Sequence, residues 1–241
     1  KEYRHILTTL KDRIPILDFS DVNLETKTFC IIRHDIEFSI ERAHKLALIE
    51  KEMNISTSYF IQLNNNTYNA LSSQNLNLLN QIISLGHKIG LHFSPSNSRK
   101  EVVEEELFYY KNIIDKALNI KVDRFSFHRP NLNPSLIKNY LVFENIINAY
   151  DSKFFQYFEG EEPENLKIKY VSDSNHQWRY GDPIGALNQG HKKIQILFHP
   201  FSWSLEGGNN LRNFKNLVSE KKQEILNSID SEISNFPKDE I

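Results

Sequence analysis

The stretch that decides the fold is Phe29-Cys30-Ile31-Ile32-Arg33-His34-Asp35-Ile36-Glu37. Its first four residues are a short apolar run rich in β-branched side chains, the pattern of a buried strand. The five residues that follow can all carry charge or bind a proton, except Ile36. Ionisable groups are seldom placed at the edge of a core unless they are paired or bind a metal. Side chains of an extended backbone alternate with period 2, so Asp35 and Glu37 point the same way. Two acids on one face at a strand's C-terminal end stand where α/β proteins put their chemistry. The plainer reading of these residues is a surface ion-pair cluster.

Working outward, the spacing predicts a repeating alternation of strands and helices. A helix and a loop fill residues 1–28. Ser39 to Met53 carries Ile40, Ala43, Leu46 and Ala47 at helical spacing behind an N-capping Ser39. Strands are expected at 56–63, 87–93, 124–128, 168–172 and 193–199, and helices at 71–85 (closed by Gly86), 98–118 and 210–233. The middle, 131–165, is irregular and contains the acidic loop Gly160-Glu161-Glu162-Pro163. With no linker or repeat visible, the expectation is one α/β domain over residues 1–241, built from mainly parallel βα units.

Composition narrows the function classes. The 241 residues hold 29 basic and 31 acidic groups, a net charge of −2, which gives no electrostatic case for nucleic acid or an anionic membrane surface. No apolar stretch approaches the roughly 18 residues of a membrane span. The single cysteine, Cys30, lies inside the apolar run. No internal disulfide can form, which fits a reducing compartment, and a cytoplasmic location is the expectation. No signal peptide is visible, but the chain begins at Lys1 rather than Met, so a leader could have been removed.

The polar residues at the strand ends carry the chemistry. Asp35 and Glu37, His92, His128 and His199 each close a predicted strand, and a fifth strand runs from Ser172 into Asp173. In a βα-barrel such ends meet at one face. Two histidines and a carboxylate suit a divalent ion such as zinc. A second carboxylate could take a proton from water and a histidine could protonate a leaving group, the inventory of metal-assisted amide or ester hydrolysis. No glycine-rich phosphate loop and no Gly-x-Ser-x-Gly elbow is present.

These motifs, in this order, resemble the polysaccharide deacetylases of carbohydrate esterase family 4, the NodB-homology group. More specifically, they resemble the deacetylase-like proteins with an Arg-His-Asp-x-Asp/Glu start that often occur among surface-polysaccharide genes. The resemblance runs from about Cys30 to Trp203. It implies a distorted (β/α) barrel of about seven strands and assigns roles residue by residue. Asp35 takes the place of the general base and Glu37 that of a metal-binding acid, with Ile36 inserted between them. Gly86-His87-Lys88-Ile89-Gly90-Leu91-His92 matches the lead-in and first histidine of the second motif, making His92 a ligand and His87 structural. The motif's second histidine falls on Ser96, a poor ligand. In the third motif, Phe127-His128-Arg129-Pro130, either His128 replaces the lost ligand or Arg129 orients the base. Asp173, followed by Trp178, would tune the site, and His199 in Leu197-Phe198-His199 would be the general acid. Trp178 and Trp203 would line a sugar pocket.

The reading implied is a deacetylase acting on an N-acetylated sugar or a related acylated sugar precursor. Its expected cofactor is a divalent metal, zinc first, with cobalt, nickel or manganese as alternatives. Two rivals stand beside it: a catalytically inactive sugar-binding homologue, favoured by Ser96, and an amidohydrolase acting on a non-sugar amide. Asp151, His176 and His191 have no motif support and read as surface or loop groups.

Overall fold

The computed structural model describes residues 1–241 except 140, 158–165, 179, 205–206 and 239–241. The acidic loop expected at 160–163 lies outside the described residues. The deciding stretch forms β1 (Phe29–Ile36), whose eight residues are all buried. It pairs in parallel with β2 (Ser58–Ile61) on one side and β7 (Lys193–Phe198) on the other. The remaining strands are β3 (Lys88–Phe93), β4 (Arg124–Phe127), β5 (Ile147–Asn148) and β6 (Lys169–Ser172). Among the described residues all pairings between these strands are parallel, and the order is β5-β4-β3-β2-β1-β7-β6. That order follows the sequence around a ring, with β7 closing onto β1 and the described residues leaving the ring open between β5 and β6. The result is a curled half-barrel, the distorted (β/α) architecture anticipated above.

Among the described residues seven α-helices accompany the sheet: α1 (Glu2–Arg13), α2 (Ile40–Glu52), α3 (Ser73–Ser84), α4 (Lys100–Leu118), α5 (Ser135–Lys138), α6 (Pro183–Asn188) and α7 (Asn210–Glu232). Local chemistry sets their limits. Ser39 Oγ accepts the Arg42 N–H to cap α2, and Ser72 Oγ accepts the Asn75 N–H to cap α3. Each such cap stabilises its helix by about 1 kcal/mol. Gly86 ends α3 with φ +97°, a conformation that side chains rarely adopt. Three elements lay below the resolution of sequence patterns. β5 has two residues, too few to show an alternation, α5 has four and α6 has six. No described helix is long and apolar enough to cross a membrane.

Period 2 divides β1 between two cores. Phe29 and Ile31 face the barrel interior with Phe19, Phe60 and Phe154, whereas Cys30 and Ile32 pack with Tyr3, Leu7 and Leu46 in the layer under α1 and α2. Burial on both faces explains why the strand reads as a continuous apolar run. Arg124 plugs the interior away from the strand C-termini, paired with Asp18 and Asp123 and donating to Ser58 Oγ at 2.7 Å. Gly90 makes that packing possible, since a Cβ there would sit 2.6 Å from the Phe60 ring and 2.8 Å from Arg124 Cγ.

His34 points the other way, into the helix layer. It meets the buried Glu50 carboxylate at 2.7 Å, which also accepts from Tyr3 (2.5 Å), Tyr59 (2.6 Å) and Thr57 (2.9 Å). Four partners offset the cost of burying this charge. His87 belongs to the same network, with Nδ1 accepting the Thr57 backbone N–H at 3.2 Å, away from the strand ends.

Candidate active site

Glu37, His92 and His128 come together at the C-terminal ends of β1, β3 and β4, with one ligand atom from each lying within 4.8 Å of the others. Strand register brings this about. His92 pairs with Ser126 across β3 and β4, and the His128 N–H bonds the Phe93 carbonyl at 2.8 Å. Both histidines therefore project from neighbouring strands on one face, with ring centroids 5.1 Å apart. Their Nε2 atoms face carboxylates: His128 is 3.6 Å from Glu37 Oε1, and His92 is 3.7 Å from Asp35 Oδ2.

Burial pushes His92 down to about 3, against the pull of Asp35, and burial together with Arg129 lowers His128. Both shifts favour the neutral imidazole, the form with a lone pair to give. Glu37 is raised, chiefly by burial and with Asp35 adding to it, while His199 pulls the other way. Two imidazoles and a carboxylate whose ionised form burial disfavours are a donor set that fits a divalent cation. Ser96 stands apart in the loop after β3, its backbone N–H bonded to Glu106.

Asp35 sits inside the barrel, 2% exposed. Burial would raise its pKa, but Arg33 and then His92, His199 and His128 outweigh it and hold the group below the usual carboxylate range. Arg33 Nη2 lies 3.3 Å from Asp35 Oδ2 and donates to the Tyr150 hydroxyl at 2.8 Å, and the Tyr150 ring lies 4.7 Å from the guanidinium carbon. Among the described residues, the arginine bonded to Asp35 is thus Arg33, and not Arg129 as the motif order suggested. Arg129 adopts a left-handed backbone (φ 48°) and acts by charge on Glu37 and His128.

On the other flank, Asp173 accepts from three donors. His199 Nδ1 lies at 2.7 Å, the His199 backbone N–H at 2.9 Å and the Trp203 indole N–H at 2.8 Å. Burial lowers the His199 pKa, but the Asp173 bond and charge, with Glu37 and Asp35, raise it on balance. Its Nε2 lies 3.9 Å from Glu37 Oε1. Trp203, expected in a sugar pocket, spends its indole N–H on Asp173 and packs on Tyr3 and Phe198. Trp178 packs edge-on to Phe198. A cavity of about 70 Å³ opens instead beside His92 and His128, bounded by Gln62, Asn64, Ser94 and Tyr110, and neither tryptophan lines it.

Three residues of this site were missed from the sequence: Arg33, Ser126 and Ser94. Arg33 shares the parity of Asp35, which was a usable signal. The two serines share the parity of His128 and His92, but their partners lie across a strand register that the sequence does not display. Two groups read as surface or loop residues lie in connecting segments, Asp151 in the turn after β5 and His176 in the short turn after β6. Asp151 is buried and accepts the Lys153 N–H at 2.9 Å, and His176 is held between the rings of Phe201 and Phe214.

No family model and no curated protein matches the chain. Among solved structures it is similar to a family 4 carbohydrate esterase from Bacillus anthracis, at 15% identity over 93% of this chain and 86% of that one, with a TM-score of 0.41. It is also similar to the catalytic domain of a peptidoglycan N-acetylglucosamine deacetylase from Eubacterium rectale (10% identity, 84% and 88% of the chains, TM-score 0.46). A third is a CE4 family pseudoenzyme from Bacillus anthracis (13% identity, 84% of this chain, TM-score 0.42), of whose length the chain spans 63%. Likeness at this level describes a chain path.

Proposed function

We propose that the protein is a metal-dependent hydrolase that removes an acetyl group from an N-acetylated sugar or a related acylated sugar precursor. The observation that carries this reading is the meeting, at one end of the barrel, of the Glu37–His92–His128 donor cluster with a carboxylate, Asp35, on one side and an Asp173-bonded histidine, His199, on the other. The Asp35 pKa is lowered, with Arg33 beside it, and the His199 pKa is raised, with Asp173 beside it, on two sides of the same cluster. Titratable pairs driven apart in this way mark an acid and a base. The substrate class rests on the order of the motifs along the chain.

Glu37, His92 and His128 would hold the divalent ion, zinc first. Such an ion, when bound, polarises a carbonyl and makes water a better acid. Asp35 accepts the proton of the attacking water at its carboxylate, which Arg33 keeps ionised and oriented. His199 carries a proton on Nε2 and delivers it to the departing amine, while its Nδ1–H stays bonded to Asp173. Asp173, fixed on its second oxygen by Trp203, holds that ring in place.

The test is direct. Purified protein is reconstituted with zinc, cobalt, nickel or manganese and offered free and nucleotide-linked N-acetylhexosamines. Acetate release that a chelator abolishes is the expected result. Substoichiometric metal after reconstitution, with no chelator-sensitive release, would sink the proposal. Metal and sugar binding without acetate release would instead point to a homologue that keeps the pocket without turnover.

A further inference from the structure

The sequence carries His92-Phe93-Ser94 on one strand end and Ser126-Phe127-His128 on the next, mirror images in spacing. In the structure the two triplets cross. Ser126 Oγ lies 2.7 Å from His92 Nδ1, and Ser94 Oγ lies 3.4 Å from His128 Nδ1. We infer that Ser126 and Ser94 are positioning residues, each fixing the ring tautomer of the opposite strand's histidine so that both Nε2 lone pairs are turned toward a divalent cation. The inference rests on the metal reading of the Glu37–His92–His128 cluster.

Proton counting supports it. A serine hydroxyl has one proton to donate and can accept in return. Ser126 is fully buried and its Oγ is 3.4 Å from Asp35 Oδ1, an oxygen that can only accept while the carboxylate is ionised. With its proton directed to Asp35, Ser126 must accept from His92, so Nδ1 carries the ring proton and Nε2 is bare. The same count holds for the partner. Ser94 Oγ is 3.2 Å from the His128 carbonyl oxygen, which can only accept. Ser94 then accepts from His128 Nδ1–H, and Nε2 is again the bare nitrogen. These are the nitrogens that face Asp35 and Glu37. A hydrogen bond to the far nitrogen fixes ring orientation and raises ligand basicity. The shorter bond and full burial give Ser126 the larger share. It also ties a ligand to the proposed base through one hydroxyl, so the two groups cannot shift independently.

The experiment compares wild type, S126A and S94A by zinc affinity in chelator competition. Far-ultraviolet circular dichroism checks the fold of each variant, and S94A alters an exposed group. S126A is expected to weaken zinc by about 10–100-fold, and S94A by less than about tenfold. A second readout is the long-range ¹H–¹⁵N histidine spectrum of the zinc-loaded wild type, in which both rings should carry their proton on Nδ1. Rings protonated on Nε2 overturn the inference, as does folded S126A whose zinc affinity stays within about twofold of wild type. Wild-type protein that takes up no ion overturns the metal reading and the serine roles with it. Tight wild-type binding beside an unaffected S126A overturns the serine roles alone.

Discussion

His199 Nδ1 and Asp173 Oδ1 lie 2.7 Å apart across the ends of β7 and β6. β6 and β7 are paired through Ser172 and Leu197, so the residues following each strand are delivered to one another by the sheet. A buried imidazole alone would lose its proton readily. Here the carboxylate reverses that effect and the His199 pKa is raised.

D173N should therefore lower the His199 pKa. The acid role needs the protonated ring, so activity falls as pH rises through that pKa. Removing the charge moves the alkaline limb to lower pH and reduces kcat by about 10²–10⁴-fold at neutral pH. A pH–rate profile checks this, and an alkaline limb that stays in place would count against His199 as the acid.

The two acids should separate by function. D35N is expected to abolish turnover with zinc still bound, because Asp35 serves the proton and Glu37 the ion. E37Q and H92A should lose the metal. Metal analysis of each purified variant, alongside acetate release, distinguishes the roles. An empty site in D35N means that the two acids are interchanged.

Arg33 and Asp35 should behave as one unit. R33M leaves a buried carboxylate without its partner, and breaking such a pair costs about 3–5 kcal/mol. Adding D35N to R33M removes the stranded charge and should restore part of that loss. Urea denaturation of the two single variants and the double variant measures the coupling. Strictly additive losses would show that the contact carries no coupling energy.

The metal-free protein should weaken in acid. The folded pKa of His92 is about 3, below the value of about 6.5 for an unperturbed histidine. The unfolded chain then binds the extra proton first. Stability from His92 is complete above about pH 6.5 and declines toward pH 3, by up to about 1.4 kcal/mol per pH unit. His128, also lowered, adds in the same direction. Thermal melts of the apo protein across this range should show the slope, and H92Q should flatten it. An unchanged slope in H92Q would assign the acid sensitivity elsewhere.

Much of the barrel could be read directly. β1 and the helix behind Ser39 emerged because an apolar run, a capping serine and helical spacing are local signals. β5 and α6 did not, because two and six residues are too few for a period to show. Glu37, His92 and His128 could be listed from their strand-end positions. The third motif left open whether Arg129 reaches the base, because motif order places an arginine in the chain and not in space. Arg33 reaches Asp35 from two residues away on the same strand face.

By itself the sequence determined which residues stand at strand ends and which faces they share, since period 2 follows from the backbone of one strand. It also determined the supply of proton-active groups. Only the tertiary structure decided who meets whom. Strand register pairs His92 with Ser126, the β6–β7 pairing delivers Asp173 to His199, and barrel curvature brings Glu37 to His128. Contacts across strands depend on register, and register is set by the packing of the whole sheet rather than by any one segment.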